Sequence, residues 1–139
     1  LQGDNYVGSM TVYIKGSPSN LDYRHFNVNF PDRSDPIAMK QIISRRLEHR
    51  DWGKPDLIVL DGGVPQLSIV SPIIPDNIPV IALAKKRETI YFYDEDHKLV
   101  TVSLPLEDPV LNLLRSLRDE AHRFANSFHK KKRGESLIS

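Results

Sequence analysis

The N-terminal part of the chain alternates between apolar and polar side chains, as half-buried strands do. Residues 9–15 alternate with a period of two and predict a first strand. Residues 16–20 are glycine, serine, proline and asparagine, which predicts a turn. A second strand is expected over 21–28, and the two strands should pair as an antiparallel hairpin.

Two short apolar runs in the middle of the chain have the composition of strands covered on both faces. They span 57–60 and 78–83, and a short helix is expected between them over 65–70. A strand, a helix and a strand in this order predict a right-handed parallel crossover. Residues 89–92 and 99–104 predict a further hairpin.

Two longer helices begin with the same signal, an aspartate followed by proline. Asp35-Pro36 opens the first, which Gly53 and Pro55 are expected to end. Asp108-Pro109 opens the second. Its apolar stripe is predicted to consist of Val110, Leu114, Leu117, Ala121, Phe124 and Phe128. One flank of that stripe carries Arg115, Arg118, His122 and His129.

These elements predict a single α/β domain with a mixed sheet flanked by helices. The order of strands and helices resembles a ribonuclease H-like layout. With 139 residues, 40% of them hydrophobic, the chain is long enough to bury a core. We expect the domain to cover 1–133 and a polar tail or linker to cover 134–139.

Composition narrows the possible functions. The chain has no cysteine, which excludes disulfides, zinc–thiolate sites and a cysteine nucleophile, and fits a reducing cytoplasm. It has no apolar run long enough to span a membrane, and its first residues lack the pattern of a signal peptide. We therefore expect a cytoplasmic protein without a membrane partner.

Charge is unevenly distributed along the chain. The formal net charge is only +1, but residues 115–133 carry seven basic and two acidic side chains. A basic strip on a nearly neutral protein indicates a polyanionic partner, although a solvated helix end would look the same.

The segment 55–63, Pro-Asp-Leu-Ile-Val-Leu-Asp-Gly-Gly, holds the first candidate for catalysis. Asp61 ends a buried strand, where open α/β sheets place their reacting groups. Asp35 could supply a second carboxylate to a divalent metal, and His122 could carry a proton or contact the metal. N-capping alone would explain Asp35 and an exposed helix flank would explain His122, so the combination is what favours phosphodiester hydrolysis.

Basic side chains near this segment are candidates for DNA contacts. They are Lys85, Lys86, Arg115, Arg118 and Arg123. Contacts of this kind go to phosphates, do not read sequence and weaken as salt rises. Surface solubilisation is the structural alternative for each of them.

Two other readings of the sequence have little support. Residues 119–122 spell Asp-Glu-Ala-His, the letters of a helicase box, but the chain has no Gly-rich phosphate loop and the run lies inside a helix. The histidines at 25, 49 and 97 lack the spacing of paired zinc ligands.

Several of these runs together resemble the C-terminal endonuclease domain of UvrC, the nicking subunit of bacterial nucleotide excision repair. The matching runs are 7–13, 23–28, Met39 with Arg45-Arg46, 55–63 with Gln66-Leu67, Ala84-Lys85 and 118–125. They cover nearly the whole chain in family order, and the runs around Asp61 and His122 are the most specific.

The resemblance implies a ribonuclease H-like nuclease that uses Mg²⁺ or Mn²⁺ to cut the damaged strand on the 5′ side of a lesion. It implies that Asp61 is a catalytic metal ligand, that Asp35 is a second required acid and that His122 is the active-site histidine. The implied partners are damaged double-stranded DNA and UvrB, with UvrA acting upstream.

The chain departs from the family pattern in three places. The family's first catalytic aspartate lies on a strand before Gly3, so we expect a fold that lacks its first strand. Val64 replaces the usual lysine after Asp-Gly-Gly. The helix-hairpin-helix module that normally follows the domain is not found before Ser139. We therefore expect a fragment that is weakly active or inactive alone.

Two other functions stay open at this point. A non-catalytic module of the same fold would bind DNA or a protein partner without cutting. A small-molecule phosphate enzyme is a weaker alternative, because no Gly-rich loop opens a helix in this sequence.

Overall fold

The computed structural model describes residues 6–28, 35–85 and 87–138, and side chains within 8–28, 35–85 and 87–127. Residues 29–34, which follow the second strand, and Lys86 lie outside the described residues. Within the described part of the chain, no helix is both long enough and apolar enough to cross a lipid bilayer.

The N-terminal hairpin is present, but with an inserted turn. Strand β1 (Tyr6–Met10) pairs antiparallel with β4 (Arg24–Val28). The predicted single strand over 9–15 is wrong, because the chain leaves β1 and folds back as the small hairpin β2 (Tyr13–Ile14) and β3 (Ser17–Pro18). Positive φ angles at Lys15 and Gly16 close that tight turn.

The mixed sheet is confirmed. Its order is β5 (Ile58–Asp61), β6 (Val80–Ala84), β7 (Thr89–Tyr93) and β8 (Leu99–Ser103). Strands β5 and β6 are parallel, and the other pairs are antiparallel. Helix α2 (Val64–Val70) and a 3-10 turn connect the two parallel strands, as the apolar runs predicted.

Helix α1 (Pro36–Glu48) begins where the Asp-Pro signal predicted. It ends earlier than expected, because residues 50–52 form a separate 3-10 turn before Gly53. The α-helix itself stops at Glu48, and Gly53 and Pro55 follow the 3-10 turn, not the helix.

Helix α3 (Pro109–Ile138) begins as predicted, and the predicted apolar stripe holds in part. Leu114 is buried and Leu117, Ala121 and Phe124 are partly buried, whereas Phe128 lies outside the described side chains. Leu111, Leu114 and Ala125 are the buried positions, while Val110 is 57% exposed. The flank that carries Arg118 and His122 therefore faces the protein. The helix also continues past residue 133, where we end the domain, and the division between domain and tail stays a prediction.

The core lies on both faces of the sheet, and the alternation of side chains along β5 and β6 decides which residue faces which helix. Ile58, Leu60 and Ala82 face one side together with α2 and the apolar face of α1. Val59, Ile81 and Leu83 face the other side, against Leu111 and Leu114 of α3. The result is a layer of helices on each side of the sheet.

Candidate active site

Asp61 lies at the carboxyl end of β5, beside the parallel strand β6. It pairs in register with Leu83, and the Gly62 N–H donates to the Leu83 carbonyl at 3.2 Å. The alternation that turns Val59 toward α3 also turns Asp61 toward α3. The Asp61 side chain is 39% exposed, so it can reach both the protein and a ligand.

His122 comes from α3 to meet that carboxylate. Its Nε2 forms a short hydrogen bond with Asp61 Oδ2, across 61 positions of sequence. A carboxylate on one imidazole nitrogen fixes the orientation of the ring. The predicted convergence of these two residues is therefore present in the structure.

The loop after Asp61 is held by a residue that the sequence did not single out as functional. The Gln66 side chain folds back from the first turn of α2, and its Oε1 accepts a hydrogen bond from Gly63 N–H at 2.9 Å. A Cβ on Gly62 would lie 2.6 Å from the Gln66 side chain. Glycine at position 62 thus leaves the space that Gln66 uses to fix the loop.

The position of His122 depends on contacts made by its neighbours on α3. Glu120 accepts a hydrogen bond from the Tyr23 hydroxyl at 2.8 Å and two from the Arg123 guanidinium, at 2.6 and 2.9 Å. Phe124 stacks on His25 with ring centroids 3.9 Å apart. The contacts with Tyr23 and His25 tie α3 to β4 and the residue before it, on either side of His122 in sequence.

The surroundings shift the pKa values of Glu120 and Tyr23 in opposite directions. The hydrogen bonds from Arg123 and then Tyr23 lower the pKa of Glu120 to about 2. Burial, with the Glu120 carboxylate, raises the pKa of Tyr23 well above its ordinary value. Tyr23 therefore stays a neutral donor and Glu120 stays a charged acceptor at neutral pH.

Asp35 has a structural role in the folded chain. Its Oδ1 accepts from the Ile37 and Ala38 N–H groups at 2.8 and 3.3 Å, as an N-cap does. Among the described residues, no three histidine, aspartate or glutamate side chains converge to hold a metal ion. The structure therefore does not gather Asp35 with Asp61 and His122, and its catalytic and metal-binding roles stay predictions.

Most of the basic residues expected to contact DNA are engaged with carboxylates. Arg118, only 10% exposed, and Arg115 both face Glu88, at 3.1 and 3.6 Å. Arg123 is held by Glu120. Lys85 is exposed at the end of β6, and the DNA-binding role of each of these residues stays a prediction.

Asp61 and His122 together offer only some of the ligand atoms that a divalent cation needs. Asp61 offers Oδ1, since Oδ2 is taken by His122, and both side chains are accessible. Magnesium is commonly held by one or two carboxylates plus waters and phosphate oxygens, and manganese also accepts imidazole. Asp61 and His122 therefore fit part of a metal coordination sphere whose remaining ligands come from elsewhere.

Mixed sheet, flanking helices and a strand-end carboxylate paired with a helix histidine define a ribonuclease H-like domain. The sequence matches the UvrC RNase H endonuclease domain model over residues 1–126, and the chain belongs to that family. It is 41% identical to a UvrABC system protein C from Pelodictyon phaeoclathratiforme, over 99% of this chain and 23% of that protein. It is 38% identical to a UvrABC system protein C from Chlorobaculum tepidum, over 99% of this chain and 22% of that protein. The chain therefore spans less than a quarter of the length of these relatives.

Proposed function

We propose that this chain is the catalytic core of a metal-dependent DNA endonuclease that makes the 5′ incision next to lesions in bacterial nucleotide excision repair. The observation that carries the proposal is the contact between Asp61 and His122 at the carboxyl end of β5. Membership of the UvrC endonuclease family supports the reaction class.

Asp61 and His122 have complementary roles in this proposal. Asp61 offers its second oxygen to Mg²⁺ or Mn²⁺, and that ion neutralises phosphate charge and activates water when bound. Asp61 orients the His122 ring through Nε2, so that Nδ1 is the nitrogen that exchanges a proton in this proposal. Asp35 is proposed as a further acid that supports the metal when DNA is bound.

The proposed substrate is damaged double-stranded DNA, presented by UvrB after UvrA has acted. Relatives named UvrABC system protein C support a role within such a system. We place the reaction in the cytoplasm and include no membrane partner.

Plasmid nicking with Mn²⁺ tests the proposal, using the 139-residue chain and the gene product that contains it. We expect weak or no nicking by the chain alone and clear nicking by the gene product. Asp61→Asn and His122→Asn should each abolish whatever nicking the parent protein shows. Asp96→Asn and His97→Asn change the same residue types on an exposed hairpin and should leave nicking intact.

A non-catalytic module of the same fold predicts a different result. The gene product would then bind DNA without cutting, and Asp61→Asn would change nothing. Robust nicking by the 139-residue chain, still abolished by Asp61→Asn, would show that no acid outside this chain is needed.

A further inference from the structure

A second cluster of polar and aromatic side chains surrounds Trp52, before β5 begins. The His49 ring stacks on Trp52 with centroids 3.8 Å apart and planes 3° from parallel. The guanidinium carbons of Arg24 and Arg46 lie 4.7 and 5.6 Å from the centre of the same ring. We call these four residues the Trp52 cluster.

The two arginines of the Trp52 cluster form no close ion pair with a carboxylate among the described residues. Within the part of the chain that the structure describes, neither has an acidic group within 4 Å, and their hydrogen bonds go to backbone carbonyls, including Gly53 O. Burial and then the charge of Arg24 lower the pKa of Arg46, and the charge of Asp51 opposes them. In this they differ from Arg118, which has Glu88 at 3.1 Å.

The surroundings of the cluster are also basic. Besides Arg46, the segment 45–54 carries three basic side chains against Glu48 and Asp51. Asp51 is near the cluster, but its contact is with His49 Nδ1, at 3.6 Å. An anionic ligand would relieve the repulsion between the two guanidiniums.

The aromatic part of the cluster is partly exposed to solvent. One face of the His49 ring lies on Trp52, and the His49 side chain is 46% exposed. A base can stack on such a ring only if it is free of its own neighbours, as in a single strand. Arginines beside a stacking platform are the combination that single-stranded nucleic acid binders use.

We propose that the Trp52 cluster binds single-stranded DNA, with phosphates on Arg24 and Arg46 and a base stacked on His49. The cluster precedes β5, whereas Asp61 ends that strand, so the contact is separate from the Asp61–His122 pair. The inference rests on the proposed function in that the chain acts on DNA.

Trp52 is the only tryptophan in the chain, so its fluorescence reports on this surface directly. The 139-residue chain is titrated with an oligothymidylate of about 12 nucleotides, without divalent metal. We expect saturable quenching, at concentrations about tenfold lower than for a duplex of the same length. His49→Ala, at an exposed position, and Arg24→Gln with Arg46→Gln should each weaken binding by about tenfold.

Matched controls separate this surface from general charge effects. Lys98→Gln removes one exposed charge from a distant hairpin and should bind like the parent chain. Each arginine lost at the cluster should lower the slope of log affinity against log salt by about one. Circular dichroism confirms that each variant is folded.

Three results would overturn the proposal. They are parental affinity in folded His49→Ala and in the folded arginine variant, equal affinity for duplex and single strand, or quenching by polyglutamate but not by DNA. Asp61→Asn should keep the quenching. Loss of nicking with intact quenching therefore bears on the proposed function alone, and loss of quenching with intact nicking bears on this surface alone.

Discussion

Glu120 joins α3 to Tyr23, the residue that precedes β4. Because donors from Arg123 and Tyr23 hold its pKa at about 2, the carboxylate contributes stability above its ordinary value of about 4.5. That contribution is lost as the pH falls from about 4.5 to about 2.

We predict that Glu120→Gln flattens the acid side of the stability profile. Urea unfolding of the parent and the variant, measured at several pH values, checks this through the free energy of unfolding. The difference between them should be largest at neutral pH and shrink toward pH 2. Glu107→Gln, at an exposed position, is the control, and a difference that does not change with pH would contradict the prediction.

Gly62 and Gln66 form a second residue-scale pair, directly beside Asp61. We predict that Gly62→Ala displaces the Gln66 side chain, breaks its bond to Gly63 N–H and destabilises the chain by about 1 kcal/mol. Gln66→Ala removes both the bond and the clash. Gly62→Ala should therefore lower the free energy of unfolding much less in the Gln66→Ala background than in the parent chain. Equal costs in the two backgrounds, measured by urea unfolding, would rule out the clash as the cause.

At the scale of elements, local signals predicted the starts of helices better than their contacts. Asp35 and Asp108 cap α1 and α3 as expected, because a cap depends on three or four adjacent residues. In the first turn of α3 the sequence pattern predicted Val110 as the buried residue, but Leu111 is buried instead. The sheet face that Leu111 meets lies far away in sequence, so local periodicity does not encode it.

The candidate site could be predicted only in part, for the same reason. Asp61 follows from its place at a strand end and His122 from the resemblance to a family, and the structure brings them together. The pairing of Arg118 with Glu88 and the fold-back of Gln66 depend on tertiary packing, which neither periodicity nor composition encodes. The Trp52 cluster likewise joins residues from β4, α1 and the following turn.

Asp35 allows a capping role to be separated from a catalytic one. Asparagine caps helices nearly as well as aspartate, but it removes the charge that a metal needs. We predict that Asp35→Ala lowers the free energy of unfolding by about 1 kcal/mol, whereas Asp35→Asn changes it little. Nicking by the gene product should fall in both variants. Full nicking by Asp35→Asn would show that Asp35 acts only as a helix cap.

At the scale of the whole molecule, the sheet separates two packing layers, and only one of them carries the helix with His122. Ile74 belongs to the layer formed with α1 and α2, and Leu111 to the layer formed with α3. Both side chains are buried, so truncation of either to alanine should cost about 2–5 kcal/mol. Stability alone therefore does not distinguish the layers.

The two truncations should differ in their effect on the site. Leu111→Ala leaves a cavity under α3 and should loosen the contact between His122 and Asp61, whereas Ile74→Ala leaves its cavity on the opposite face of the sheet. Imidazole resonances of His122, assigned by comparison with His122→Asn, measure this in the folded state. We predict that they shift in Leu111→Ala and keep their parental positions in Ile74→Ala. Equal shifts in both variants would mean that the sheet transmits packing defects to Asp61, and that the site depends on the whole core and not on the α3 layer.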